Sequence, residues 1–232
     1  MRILSIDVGI KNLAHCLFDT EPFSILDWAV LDLSDMAFCA CKKPAVYIGS
    51  NGEHCCKKHA PKNVVTARKS LDELQQMCVE RQLSTEGSRK ELVARLKLQK
   101  VKGAMQIHDV TLSKNLTGKY NEQFQGKKVD VVLIENQMAP RMKPLQGMLI
   151  QYWTMQGSSV EIISPANKLK ALNMVGTTYA QRKKLSIDHT RRILGERGID
   201  ATAFEGKRKK DDLADSFLQG DWYMRNVKLR TT

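Results

Sequence analysis

The sequence has no run of about 18 consecutive apolar residues, so no helix long enough to cross a bilayer is expected. Proline is scarce, six in 232 residues, while apolar residues make up 42%. That combination excludes an intrinsically disordered chain, which lacks the apolar surface needed to offset the entropy of ordering. Acidic residues are in short supply: 25 Asp and Glu stand against 37 Lys and Arg, a net charge of +12. With a pI near 9.5, the chain points to a polyanionic partner, most often nucleic acid. The start, Met-Arg-Ile-Leu-Ser-Ile-Asp-Val-Gly, enters an alternating apolar run at once. Neither a signal nor a transit peptide is therefore expected, and the expected location is intracellular.

What is present reads as a mixed α/β chain. Residues 2–8, 13–19 and 24–33 are strand-like runs, and Glu21-Pro22 suits a hairpin between the last two, giving an antiparallel meander. Residues 129–134 are nearly all apolar, as the buried centre of a sheet requires, and 159–163 read as a further strand. Helices are expected over 101–124, 144–156, 178–197 and 211–224, the last burying Leu213, Ala214, Phe217 and Leu218. Residues 70–98 read as two helices, with Leu71, Leu74, Cys78 and Leu83 on one buried face. Ser88 caps the second helix with Glu91 at capping-box spacing, and Leu92 and Leu96 are buried. The expected organisation is an α/β core from 1–36 and 101–232. It is interrupted by a metal-binding segment at 37–62 and a helical module at 66–100.

Four carboxylates stand where a carboxylate is costly without a cation or solvent. Asp7 ends the first strand, before Gly9. Glu135 ends the buried strand. Asp212 and Asp215 are spaced i, i+3 on the last helix and share a face, with Asp211 competing for it. Like charges this close repel, and a divalent cation relieves the repulsion. Four such groups on three segments suit two magnesium ions about 4 Å apart, the arrangement used to cleave phosphodiesters.

The six cysteines include four within residues 39–56, beside His54 and His59. In a chain without a secretory signal this reads as metal binding rather than disulfides. Cys39, Cys41, Cys56 and His59 form a Cys3His set suited to tetrahedral, structural zinc, with Cys55 or His54 as alternatives to Cys56.

Ile-Asp-Val-Gly-Ile-Lys-Asn at 6–12, Val-Leu-Ile-Glu-Asn-Gln at 132–137 and Lys-Lys-Asp-Asp-Leu-Ala-Asp-Ser-Phe at 209–217 resemble the motifs of RuvC-type Holliday junction resolvases. The likeness is nearest to the branch of poxviruses, other large DNA viruses and fungal mitochondria. It implies a ribonuclease H-like fold, a mixed five-stranded sheet flanked by helices with a small helical, zinc-binding insertion. It also implies Mg2+ or Mn2+ held two per active site by Asp7, Glu135, Asp212 and Asp215, and symmetric nicking of four-way DNA junctions by a homodimer. A lysine near the scissile phosphate is implied as well, Lys184 being favoured over Lys183 as the catalytic one. A viral source would place the protein in the host cytoplasm or nucleus, at sites of viral DNA replication. Lys11 and the run Lys207, Arg208, Lys209 and Lys210 are the expected phosphate contacts of the core.

Residues 70–98 resemble a SAP motif, a small helical DNA-binding module, through Leu71, Leu74, Leu83, Gly87, Lys90, Leu92, Val93 and Leu96. Arg89, Lys90 and Arg95 are its expected phosphate contacts. Three other readings compete. A flap or RNA–DNA hybrid nuclease shares the carboxylates. A non-catalytic DNA-binding protein needs only the basic surface. An actin-like ATPase requires a second glycine-rich phosphate loop, which the sequence does not contain.

Overall fold

A computed structural model describes residues 1–34, 36–49, 52–60, 69–97, 99–101, 103–167 and 176–227. The chain divides into two compact units, one of Met1–Ser34 with His108–Thr232 and one of Asp35–Ile107.

The larger unit is built on a five-stranded sheet in the order β3-β2-β1-β7-β8. Strands β1 (Arg2–Asp7), β2 (Leu13–Thr20) and β3 (Phe23–Leu31) form the expected antiparallel meander. Strands β7 (Val131–Glu135) and β8 (Ser159–Ile163) join it in parallel beside β1. Central strands are buried on both faces, which is why Ile3, Leu4, Ile6, Val132, Leu133 and Ile134 read as apolar runs. Helices α3 (Asp109–Phe124) and α4 (Lys143–Met155) pack against each other through Tyr120, Phe124, Tyr152 and Trp153. Helix α7 (Lys210–Asn226) lies against β1 and β2, with α5 (Tyr179–Glu196) and the short α6 (Thr202–Glu205) beside it. Leu213, Ala214, Phe217 and Leu218 of α7 share one cluster with Cys16, Phe18, Ile193, Leu194 and Phe204. Each fully buried phenylalanine there contributes about 2–3 kcal/mol of transfer free energy.

The approach of α7 to the sheet depends on Gly220. A Cβ at that position would overlap the Phe18 ring and stand 3.1 Å from Ser5 Cβ. Phe18 is fully buried, with ring centroids 5.9 Å from Phe23 and 5.7 Å from Phe217, so it has nowhere to retreat. Gly220→Ala is expected to destabilise the protein by about 3 kcal/mol through overpacking. This exceeds the gain of about 1 kcal/mol in helix propensity. Urea unfolding monitored by circular dichroism measures the difference.

On β3, Asp27 accepts hydrogen bonds from Gln123 Nε2 at 2.6 Å and Lys127 Nζ at 2.9 Å, while buried His15 places Nε2 3.6 Å away. Burial raises the pKa of this carboxyl, but the His15, Lys127 and Gln123 contacts outweigh burial and hold it well below the usual range. A carboxylate depressed in the folded state adds stability that is present above its unfolded pKa of about 3.9 and lost as pH falls below it. Between about pH 5 and pH 2, wild type should therefore lose about 2 kcal/mol more than Asp27→Asn. Urea midpoints across that range test this.

The smaller unit holds α1 (Leu71–Glu80), α2 (Arg89–Leu96) and the two-residue strands β4 (Tyr47–Ile48), β5 (His54–Cys55) and β6 (Gln99–Lys100), ordered β5-β4-β6. Both helices begin with capping boxes. Glu73 accepts from the Ser70 N–H at 2.7 Å, and Glu91 accepts from the Ser88 N–H at 2.6 Å. Leu74, Met77, Cys78, Leu92 and Leu96 form their core. Leu71, expected on that face, is 43% exposed, while Met77 is buried in the core. The helix expected over 101–124 begins only at Asp109. Gln99 and Lys100 pair with β4, and Ala104–Gln106 form one 3-10 turn, so the segment before His108 belongs to the smaller unit. Residues 35, 50, 51, 61, 62, 66–68, 98, 102, 168–175 and 228–232 of the expected segments lie outside the described residues. No helix among the described residues is long and apolar enough to cross a membrane.

Candidate functional site

Strand alternation aims two carboxylates at one place. Side chains two residues apart on a strand share a face. Ser5 lies on the α7 face of β1, since Gln219 of α7 reaches its hydroxyl, and Asp7 follows two residues later. Leu133 is the register partner of Ser5 on parallel β7, and Glu135 again follows by two. Asp7 and Glu135 thus leave the same ends of adjacent parallel strands on the face that α7 covers. Gly9 keeps the turn after Asp7 tight, since a Cβ there would meet the Asn12 carbonyl at 2.5 Å.

Helix α7 brings Asp211 and Asp212 in its first turn, where the helix dipole favours negative charge, and Asp215 one turn on. All five carboxylates line one cleft of about 380 Å³ with Pro165, Tyr179, Arg182, Lys183 and Ser186. Their partners differ. Asp215 Oδ1 accepts from Ser186 Oγ at 2.9 Å, and Glu135 Oε2 accepts from Gln137 Nε2 at 3.3 Å. Asp211 Oδ2 is paired with Lys183 Nζ at 2.5 Å. Burial pushes the Asp211 pKa up, but Lys183 outweighs it and leaves the carboxyl below its ordinary value. Asp212 is the opposite case: burial first, then the neighbouring Asp211 charge, raise its pKa. Asp212 Oδ2 is buried without a hydrogen-bond partner, with Lys209 Nζ 3.8 Å away. A buried, unpartnered carboxylate oxygen among other carboxylates is a donor set that fits a hard divalent cation.

Among the described residues, Lys183 is the lysine that lines this cleft. It lies 4.9 Å from the centroid of the exposed Tyr179 ring, and Asp211 and Tyr179 raise its pKa well above the ordinary lysine value. Lys184, favoured by the sequence, is exposed and does not line the cleft, because one residue turns a helical side chain by about 100°. Lys11, Lys207, Arg208 and Lys209 are exposed outside this cleft, and Lys210 pairs with Glu205 at 3.5 Å. Sequence reasoning missed Arg182 and Ser186. Their signal was the spacing from Lys183, since Ser186 lies three residues on and therefore on the same helical face.

In the smaller unit, ligand atoms of Cys39, Cys41, Cys56 and His59 all lie within 4.8 Å of one another. Among the described residues this is the set whose ligand atoms stand that close together. Cys39 Sγ is 3.4 Å from His59 Nδ1, and Cys41 Sγ is 3.7 Å from Cys56 Sγ. Two turns build the set. Lys42, at φ 62°, donates its N–H to the Cys39 carbonyl, and the N–H groups of His59 and Ala60 reach the Cys56 carbonyl. Hydrogen bonds from the Cys41 and Cys56 backbone, then from His59, lower the Cys39 pKa to about 6, which favours the ligating thiolate. Cys55 stands aside, its thiol 3.9 Å from the Glu53 carbonyl, and His54 is exposed. Of the expected DNA contacts, Arg89 and Lys90 are exposed. Arg95 instead donates to the carbonyls of Ser84 at 2.6 Å and Glu86 at 2.8 Å, clamping the turn between the helices.

Residues 87–226 match the poxvirus A22 protein family, and residues 68–98 match the SAP domain. An uncharacterised protein of Acanthamoeba polyphaga mimivirus is 28% identical over 138 residues, covering 49% of this chain and 33% of that protein. The chain thus spans about a third of the length of that curated relative. Fowlpox virus resolvase, solved in complex with Holliday junction DNA, superposes with a TM-score of 0.53 at 16% identity. The match covers 98% of this chain and 99% of that one. The likeness establishes a shared fold, the mixed five-stranded sheet flanked by helices. Since the A22 match covers more than half of its residues, this chain belongs to the poxvirus A22 protein family.

Proposed function

We propose that the protein is a magnesium-dependent endonuclease that nicks two strands of a four-way DNA junction. The observation that carries this reading is the cleft itself, where Asp7, Glu135, Asp212 and Asp215 converge from three elements beside Lys183. Family membership and the fold shared with a junction-bound resolvase support the choice of substrate. Asp7, Glu135, Asp212 and Asp215 would hold Mg2+ or Mn2+, two per site, and the bound ions supply an activated water and stabilise the leaving oxygen. Magnesium retains several waters, so few protein carboxylates suffice. Asp211 stays with Lys183 and holds that ammonium at the rim of the acidic group, where it meets a phosphate oxygen. Tyr179 restrains it from the other side. Cys39, Cys41, Cys56 and His59 hold a structural zinc, since four protein ligands leave no open position. The SAP-like helices present Arg89 and Lys90 to phosphates, while branched shape rather than base contact gives selectivity. Two symmetric cuts need two sites, hence a two-fold homodimer.

The test is a synthetic four-way junction compared with a flap and an RNA–DNA hybrid in Mg2+, with mapped cut sites. Symmetric nicks confined to the junction are expected, and preferential cutting of the flap or hybrid overturns the reading. In the same assay Lys183→Ala is expected to lower the nicking rate by about 10²-fold. Lys184→Ala should remain within about threefold of wild type, because its side chain is exposed away from the cleft.

A further inference from the structure

We propose that Gln219 is a positioning residue that sets the relative placement of the four cleft carboxylates; this rests on the metal-dependent reading given above. Gln219 is 3% exposed and lies one turn after Asp215 on α7. Its Nε2 donates toward Ser5 Oγ at 3.2 Å, the Ile6 carbonyl at 3.2 Å and the Leu133 carbonyl at 3.3 Å. Ile6 directly precedes Asp7, and Leu133 lies two residues before Glu135. One amide therefore joins the helix that carries Asp212 and Asp215 to both strands that carry the other two carboxylates.

An aliphatic side chain would fill this layer without the desolvation cost of an amide. Leu213, Phe217 and Leu218 fill other inward positions of α7 in this way, while buried Ser216 and Asp221 have hydrogen-bond partners of their own. The amide recovers its cost only where its donors meet those acceptors, so it selects one register of α7 along the strands. Gly220 governs the perpendicular direction, since any Cβ there meets Phe18. Together the two residues leave the helix little freedom to slide or lift. Metal sites need this, because ligand distances must hold within about 0.2 Å. Partners behind the ligands commonly govern affinity by 10- to 100-fold.

The experiment uses the wild-type chain, Gln219→Met, Gln219→Glu and a core control away from α7, Phe124→Leu, which packs against Tyr120 and Trp153. Each is measured by thermal unfolding, by Mn2+ binding followed with electron paramagnetic resonance without DNA, and by junction nicking against Mg2+ concentration. Gln219→Met is expected to bind Mn2+ at least about tenfold more weakly, with the half-saturating Mg2+ shifted the same way. Gln219→Glu, which keeps the length and one donor when protonated, falls between it and wild type. Phe124→Leu lowers the unfolding temperature without moving Mn2+ affinity. Wild-type affinity in Gln219→Met, or an equal loss in Phe124→Leu, overturns the proposal in favour of ordinary packing. Should Gln219→Met fail to fold, Gln219→Glu against Phe124→Leu decides by the same comparison. Wild type that binds no Mn2+ overturns the reading of the cleft itself. Wild type that binds, with Gln219→Met unshifted, overturns the positioning role alone.

Discussion

Asp7→Asn and Glu135→Gln are each expected to reduce junction nicking by on the order of 10³-fold or more, with DNA binding retained. The size follows from what each group is for. Removing a group behind a metal ligand costs about 10- to 100-fold, and removing a ligand itself costs more. Both substitutions keep side-chain shape, remove the charge and exchange one ligating oxygen for an NH2 group. Asp7 and Glu135 are half-buried at strand ends, outside the apolar core, so the unfolding midpoint should move by less than about 1 kcal/mol. Affinity should survive because it comes from basic groups outside the carboxylate set. The same logic separates the two adjacent aspartates of α7. Asp212 has a buried oxygen without a hydrogen-bond partner and a raised pKa, whereas Asp211 is occupied by Lys183. Asp212→Asn should therefore match Asp7→Asn in its loss of rate. Asp211→Asn should lose only about tenfold, through a lysine freed from its partner. Single-turnover nicking and junction binding in Ca2+ measure both quantities. Equal losses at 211 and 212 would sink the assignment of separate roles.

Much of this arrangement was legible in the sequence because it depends on short periodicities. An apolar strand ending in Asp7 and another ending in Glu135 fix which way those carboxylates point once the strands are paired. The i, i+3 spacing of Asp212 and Asp215 fixes a shared helical face. The Cys3His set was legible for a similar reason, since turns at Lys42 and after Cys56 close it locally. What escaped depends on packing between elements. Choosing between Lys183 and Lys184 requires the rotation of α5 against α7, which is set by Ser186 meeting Asp215 and Lys183 meeting Asp211. Arg95 reads as a free cation until the turn at Ser84 and Glu86 folds back under it. Residues 101–107 read as the start of a helix because nothing local announces that Gln99 and Lys100 just before them will pair with Tyr47 and Ile48. Gln219 resembles any polar residue on a helix until two strands are placed beneath it.

Removing zinc, by chelation or by Cys56→Ser, is expected to unfold the Cys39–His59 region while leaving the larger unit intact. Strands β4, β5 and β6 are two residues each, far too short to persist on backbone hydrogen bonds alone. Among the described residues, Cys39, Ala45 and Cys56 are the buried apolar groups of this segment, and two of the three belong to the proposed zinc set. On that proposal almost all of its stability comes from the metal, for which structural zinc supplies on the order of 10 kcal/mol in small domains. The α1–α2 pair has its own core of Leu74, Met77, Cys78, Leu92 and Leu96, so its amides should stay protected. Cys55→Ser serves as the control, because Cys55 lies outside the ligand set. It should retain one zinc per chain where Cys56→Ser retains none. Metal content by mass spectrometry and residue-resolved hydrogen exchange read both outcomes. Protection at residues 44–56 that survives chelation would show that the cysteines hold this segment without metal. Loss of zinc in Cys55→Ser would move the ligand set by one residue.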